Sequence, residues 1–411
     1  MSGLTRPYYF ADQLMKDGYS SVIFSSAYLH FSNENLIKTR DRFLVHEENG
    51  ISFVFVKTME YKNNGATRVL NMVSFMLRLF SVSRTYIKGH ARPDVIIASS
   101  PHLLTSVAGI IIAKRFNIPC ICEIRDLWPE MIFGISGRSL KSITGRILTS
   151  LEYWIYKHAD ALIFTKEGDV EYIKEHKWDT GQGGGIALSK CHYINNGVDI
   201  NSFNTSMMMD TLDDTDLSDA NTFKVVYTGT IRLANNVENI IDAAVLLREH
   251  EDIKFLIYGD GSEAGRIKAR VESERLENVR IKGYIEKKHI PYVLSRSSVN
   301  LLNYMAGGIN WSRGNSSNKL FEYMASAKPV IANVKMGYSI IDKYKCGISI
   351  EKNTPEELAK AILLIKNMSR SEYDKLCDNA YNGAKSFDFS ILAEKLRNTI
   401  VETIAQGKKK R

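Results

Sequence analysis

Cysteine is scarce, and none of it is placed for chemistry. The five cysteines, Cys120, Cys122, Cys191, Cys346 and Cys377, form no CxxC pair and no Cys/His cluster at zinc spacing. That argues against a disulfide framework or a structural metal and leaves the thiols free. Long hydrophobic runs are missing as well. No stretch approaches the ~18 uncharged apolar residues of a membrane-spanning helix, and the opening MSGLTRPYYF lacks the shape of a signal peptide. A cytoplasmic protein is expected. Acidic residues are nearly absent from one segment: between Tyr61 and Cys120, eight Lys or Arg stand against Asp94 alone. No RNA- or DNA-binding module accompanies this basic segment, so nucleic acid is not the expected partner.

What is present is the composition of a soluble globular chain, with 44% hydrophobic and 24% charged residues over 411 positions. That length implies two domains of roughly 200 residues each. The net charge is +8, and its clustering predicts a basic face on the first domain. Two stretches there, RVLNMVSFMLRLFSVSRTYIK (68 to 88) and RSLKSITGRILTSLEYWIYK (138 to 157), mix Met, Phe, Leu and Ile with basic residues. Such helices sit on anionic lipid headgroups, or they pack as ordinary amphipathic helices on a sheet, and one does not exclude the other.

Both halves alternate helix and strand. In the first, SSVIFSS, ISFVFVK, PDVIIASS, PCICEIRD and DALIFTK read as strands, with helices at PYYFADQLMKDG, LLTSVAGIIIAKRFN and LEYWIYKHA. The helix pattern comes first, where a doubly wound domain normally opens on a strand, so a first strand is either missing or lies upstream. In the second half FKVVYTGTI, IKFLIYGDG, VRIKGYI, VNLLNYM and KPVIANV alternate with helical segments, and three of these strand ends carry a glycine at the turn. Glycine lets backbone approach a phosphate or a flat base closely. Between them MMMDTLDDTDLSDANT (207 to 222) is acidic and without period. The expected division is a domain over 1–195, a linker over 196–222, a domain over 223–385, and a C-terminal helix with a basic tail over 386–411. Asp214 to Asp216 spell DTD, but no strand leads into them, so a metal site is not expected there.

The stretch NKLFEYMASAKPVI (318 to 331) sets Lys319 and Glu322 at the start of a helix that stops at Pro329 and leads into a strand. A helix N-terminus favours anions, and a lysine there suits phosphate. A carboxylate one turn on accepts two sugar hydroxyls. These residues therefore belong to a nucleotide site, or they are two charges on a solvated helix face.

In order along the chain, IASSPH, EIRDLWPE, NNGVD, YTGTI, YGDG and NKLFEYMASAKPVI resemble glycosyltransferase family 4, and the pairing of RDLWPE with KLFEYMASAKPVI is most similar to its bacterial O-antigen and capsule branch. The resemblance implies an α/β chain of GT-B fold, two Rossmann-like doubly wound domains facing a cleft. It implies retaining transfer from a nucleotide-sugar, expected to be a UDP-sugar, to an undecaprenyl-diphosphate-linked saccharide, with no metal or other cofactor, at the inner face of the plasma membrane. A sugar-nucleotide epimerase of the same fold and a non-catalytic partner in polysaccharide assembly are the alternatives. Carried over by residue, Glu322 holds the ribose, and Lys319, Asn318, Gly229, Thr230, Arg232, Gly261 and Tyr284 line the diphosphate and base. Gly314 stands where most relatives have a second glutamate, and Thr230 and Asn235 replace an arginine and a lysine, so the cation must come from Arg232 or Lys319. In the first domain Arg125 and Asp126 take the place of a His-Asp pair. Arg125 clamps an anionic group, or the two form a structural ion pair. Glu130 is the further candidate carboxylate, Trp128 stacks on a sugar or fills core, and His102 touches the acceptor or is structural.

Overall fold

The computed structural model describes residues 5–30, 33–62, 65–100, 102–137, 139–307 and 310–409. The start of the chain, where the question of a first strand falls, lies outside the described residues, as do Pro101, Arg138 and the last two residues of the basic tail. The chain divides into two compact units, residues 1–195 with 392–411, and residues 196–391.

The first unit contains β1 (Val22–Ser26), β2 (Tyr28–Leu29), β3 (Glu34–Asn35), β4 (Phe43–Glu48), β5 (Ile51–Val56), β6 (Ile96–Ser100), β7 (Cys120–Ile124), β8 (Ala161–Phe164) and β9 (Cys191–Tyr193). They form a sheet in the order β1-β5-β4, a β2-β3 pair, and a parallel sheet in the order β6-β7-β8-β9. In β5 the side chains alternate. Phe53 and Phe55 pack in a cluster with Ala11 of the Thr5–Lys16 helix, and Val54 and Val56 pack with Phe75 and Leu79 of the Ala66–Gly89 helix. A strand covered on both faces reads as a continuous apolar run, which is why ISFVFV is legible. β4 is not, because FLVHEE is mostly exposed and joins antiparallel, Phe43 opposite Val56. β1 and β6 are edge strands and keep Val22 and Ile97 exposed, whereas β7 and β8 are buried throughout.

The second unit holds one six-stranded sheet made of β10 (Phe223–Thr228), β11 (Ile253–Tyr258), β12 (Val279–Gly283), β13 (Val299–Leu302), β14 (Val330–Ala332) and β15 (Gly347–Ser349). Every pairing is parallel, in the order β12-β11-β10-β13-β14-β15. The chain runs outward from β10 to β12, then returns to β13 on the other side of β10. That reversal makes the carboxyl ends of β10 and β13 a topological switch point, the place where such sheets bind ligands.

Residues 196–222 do not form the expected linker. The helices Ile200–Met209 and Thr215–Ser218 belong to the second unit, whose core takes in Ile200, Phe203 and Leu217. The acidic composition is answered within that unit: Lys282 Nζ lies 2.7 Å from Asp214 and 2.6 Å from Asp216, and the Tyr258 hydroxyl donates to Asp214 at 2.8 Å. The DTD aspartates are thus ion-paired. The C-terminal helix Phe389–Lys409 enters the first unit from Leu392, where Arg397 pairs with Asp17 at 2.9 Å. No helix among the described residues is long and apolar enough to cross a membrane.

Candidate functional site

At the end of β10 the backbone turns through Gly229 with φ +147°, and at the end of β11 through Gly259 and Gly261 with φ +148° and +155°. These values favour glycine. The turns lock together: Gly229 N–H donates to Tyr258 O at 2.9 Å, Ile231 N–H to Asp260 O at 2.9 Å, and Gly259 N–H to Gly283 O at 2.7 Å. A side chain at Gly259 would overlap the Gly229 carbonyl, and one at Gly261 the Ile231 carbonyl. Three strand ends are thereby drawn into one layer of backbone.

Against it lies the start of the Asn318–Ala325 helix, whose N-cap Ser317 makes no side-chain cap bond. Lys319 reaches from that first turn toward Gly229. Its ammonium is 3.4 Å from the Tyr227 hydroxyl and lies 4.8 Å and 5.4 Å from the ring centroids of Tyr227 and Tyr304. A cation held by two ring faces is attracted by their quadrupoles, yet it has little water. Burial is the main cause that pushes the Lys319 pKa down to about 8, the Arg232 guanidinium adds to it, and Glu322 opposes both. Glu322, one turn on, is half-buried and 3.8 Å from Lys287 Nζ. Burial raises its pKa while Lys287 and Lys319 pull the other way. The cluster is a concentrated positive site with a helix N-terminus behind it, suited to a multiply charged oxyanion.

The surrounding shell is neutral and tightly bonded. Asn235 donates to Thr230 O at 2.6 Å, where the relatives' lysine would stand, and Asn303 donates to Asn235 O at 3.0 Å. The Tyr323 hydroxyl donates to Thr228 O at 3.1 Å, and Asn333 bridges to Tyr304 O at 2.8 Å. Gly229, Thr230, Arg232, Gly261, Lys319 and Glu322 thus gather at one edge. Thr230, Arg232 and Asn318 are exposed there, and Tyr284 is exposed beyond the end of β12. Tyr227 and Tyr304 carry no sequence signal for this role: Tyr227 lies within the apolar run of β10, and Tyr304 just past the end of β13.

In the first unit Arg125, Asp126, Trp128 and Glu130 follow β7, and His102 follows β6, the neighbouring strand in register. Asp126 is 3.7 Å from Lys166 rather than paired with Arg125. Thr165 donates to the Arg125 carbonyl at 3.0 Å. Trp128 is half-buried against the cluster of β6 to β8, and Glu130 lies in the first turn of the Trp128–Ser136 helix. His102 stands at the N-cap position of the Leu103–Phe116 helix, without a side-chain cap bond, and is buried. Burial first, then Arg68, holds its pKa down at about 4, so it is neutral at physiological pH. Glu123 faces Arg6 at 2.8 Å and accepts from Ser99 at 2.7 Å. That commits it to structure.

Two units of this kind, each with a parallel sheet and helices between its strands, define the GT-B class of fold. Residues 209–385 match the family described as glycosyl transferases group 1, and residues 10–182 match the glycosyl transferase 4-like domain. The chain belongs to the group 1/family 4 glycosyltransferases, and it is a glycosyltransferase. No curated protein matches it. Among solved structures it is similar to sucrose-phosphate synthase from Thermosynechococcus elongatus, with 14% identity, TM-score 0.70, and 97% of this chain and 92% of that chain covered. It is also similar to Anabaena HepE in complex with UDP-glucose, with 16% identity, TM-score 0.64 and coverage of 98% and 96%. WaaG, a glycosyltransferase involved in lipopolysaccharide biosynthesis, shares 12% identity at TM-score 0.64 over 97% and 96%. These likenesses carry the fold.

Proposed function

We propose that this protein moves a sugar, with retention of configuration, from a UDP-sugar to a saccharide carried on a polyprenyl diphosphate, in the assembly of a surface polysaccharide. The observation that carries the donor half is Lys319, an ammonium poised over Tyr227 and Tyr304 beside Gly229 at a helix N-terminus. As the bond from sugar C1 to the diphosphate breaks, negative charge grows on the leaving oxygen, and Lys319 with Arg232 stabilises it more than the ground state. The acceptor oxygen bonds to C1 and its proton passes to the released diphosphate. Glu322 accepts the ribose hydroxyls, Asn318 and Thr230 contact the phosphates, and Gly261 and Tyr284 border the base. On the acceptor side Arg125 holds an anionic group, with Asp126, Glu130, His102 and Trp128 around the entering saccharide. The UDP-glucose seen in HepE supports the choice of donor, and the role of WaaG supports the choice of pathway class.

A peripheral place at the inner face of the membrane fits two apolar patches of the first unit. Val69, Leu70 and Leu77 are exposed on the Ala66–Gly89 helix, and Ile143 and Ile147 on the Ile143–His158 helix, beside Lys141 and Arg146. Exposed apolar residues among cations suit an anionic bilayer surface.

Incubating the protein with a panel of radiolabelled UDP-sugars and a lipid-linked saccharide extract tests the reading. Label is expected in the lipid fraction with one UDP-sugar, and the α or β configuration of the donor is kept. Conversion of the donor without an acceptor would instead favour the epimerase. In the same assay Gly229→Ala is expected to cost about tenfold in donor affinity, ~1.4 kcal/mol. The added Cβ would sit 3.0 Å from Lys319 Nζ at a φ of +147° that strains any other residue. Unaltered affinity would mean that Gly229 does not set the position of the ammonium.

A further inference from the structure

On the first unit, Arg40, Arg42, Lys57 and Arg78 line an open cavity of about 530 Å³ together with Asp41 and Ser81. Four cations face one acid. Among the described residues none of the four is in an ion pair. Elsewhere cations of this chain are matched, as Lys282 is by two aspartates and Arg270 by Glu238, Asp242 and Glu274. Two of the four side chains, those of Arg78 and Lys57, are also anchored to backbone carbonyls. Arg78 donates to the Lys57 carbonyl at 2.7 Å, Lys57 N–H to the Arg42 carbonyl at 3.0 Å, and the Lys57 ammonium to the Thr39 carbonyl. Each of the two side-chain bonds uses one donor of a group that has three or five, so most of the donors remain for a ligand. Asp41 is occupied by the Thr39 hydroxyl at 2.6 Å.

The helix that contributes Arg78 adds a second feature. Residues spaced by seven or by four share a face, so Leu70, Leu77 and Ser81 form one stripe that runs into the cavity, with both leucines exposed. A basic pocket at the end of an exposed apolar stripe fits an anionic head on a hydrocarbon chain. Like charges crowded around a cavity repel one another until a multivalent anion enters.

We propose that Arg40, Arg42, Lys57 and Arg78 bind the phosphate or diphosphate group of an amphiphile whose chain lies along Leu70 and Leu77. The group has two sources, the head of a membrane phospholipid or the diphosphate of a polyprenyl carrier, and the chemistry of the pocket is the same for both. This rests on the acceptor and membrane half of the proposed function, for which it names a pocket, and is independent of the donor half, because every residue involved belongs to the first unit and the UDP features to the second.

The test is calorimetry of the full chain with farnesyl diphosphate, with UDP present throughout to fill the donor site, for wild type, Arg42→Gln/Arg78→Gln and Leu77→Ser. Wild type is expected to bind. The double variant should lose at least about tenfold in affinity and Leu77→Ser a smaller factor, while both melt at the wild-type temperature and bind UDP as wild type does. Equal farnesyl diphosphate binding in all three, or none in wild type, overturns the proposal. Inorganic pyrophosphate binding as tightly as farnesyl diphosphate overturns its apolar half. Sedimentation with phosphatidylglycerol vesicles separates the sources: loss in the double variant assigns the phospholipid head, and retention alongside lost farnesyl diphosphate binding assigns the carrier. Should UDP bind to no form of the protein, the donor reading fails while the loss of farnesyl diphosphate binding still decides the pocket.

Discussion

Lys319→Ala is expected to lower kcat/KM for the sugar donor by about 100- to 1,000-fold, the effect of removing one preorganised charge from a leaving group's path. The fold should survive it, and stability should improve. A lysine that titrates at about 8 in the folded protein and near 10.4 in the unfolded chain is held against its preference for water. Between those two values the unfolded state binds more protons, so this residue makes stability rise with pH across that window. Lys319→Met is therefore expected to raise Tm at pH 7 and to give no gain above about pH 10.5. Activity carries the opposite sign. As pH rises through 8 the free protein loses its ammonium, and kcat/KM for the donor falls on an alkaline limb. Lys319→Arg keeps its charge at that pH and should abolish the limb, whatever its effect on rate. A wild-type profile flat to pH 9.5 would deny Lys319 its role.

The second large effect is structural. Arg6 and Glu123 are both buried and lie 2.8 Å apart, and Arg6 also donates to the carbonyls of Ile194, at 2.8 Å, and Asn195. Burial by itself would raise the Glu123 pKa, but Arg6, the Ser99 hydroxyl and Arg125 outweigh it, and the net shift is downward. Removing the guanidinium takes the paired cation from a buried carboxylate, which keeps the Ser99 hydroxyl, and a donor from each of two carbonyls. Arg6→Ala is expected to cost about 3–5 kcal/mol, read as a fall in Tm of the first unit. Because the depressed carboxyl stabilises the fold above its unfolded pKa and loses that contribution as pH falls through its folded pKa, wild type and variant should converge in acid. Arg6→Met/Glu123→Gln should recover part of the loss. A Tm within 1–2 °C of wild type for Arg6→Ala would show the pair to be dispensable.

These two residues mark what sequence can and cannot show. Lys319 and Glu322 are legible because helix, turn and strand follow within fourteen residues of the chain, so their place at a helix N-terminus is a local fact. Arg6 meets Glu123 across 117 positions, and no local pattern announces it. Tyr227 and Tyr304 are hidden differently, since an aromatic within an apolar strand or just past its end reads as core until the lysine that it cradles is seen. The acidic run before Phe223 looked like a solvated linker for the same reason as Arg6. Its counter-charge, Lys282, arrives 66 and 68 residues later. Periodicity recovers the strands buried on both faces and misses β4, which owes its place to pairing with β5 rather than to burial.

Calorimetric titration of UDP into the wild-type protein, Lys319→Ala and Glu322→Ala tests the central claim most directly. The account predicts saturable binding to wild type that weakens by at least about tenfold, ~1.4 kcal/mol, in each variant, with GDP weaker than UDP throughout. Equal UDP affinity in all three, or no binding to a folded wild type, would contradict it.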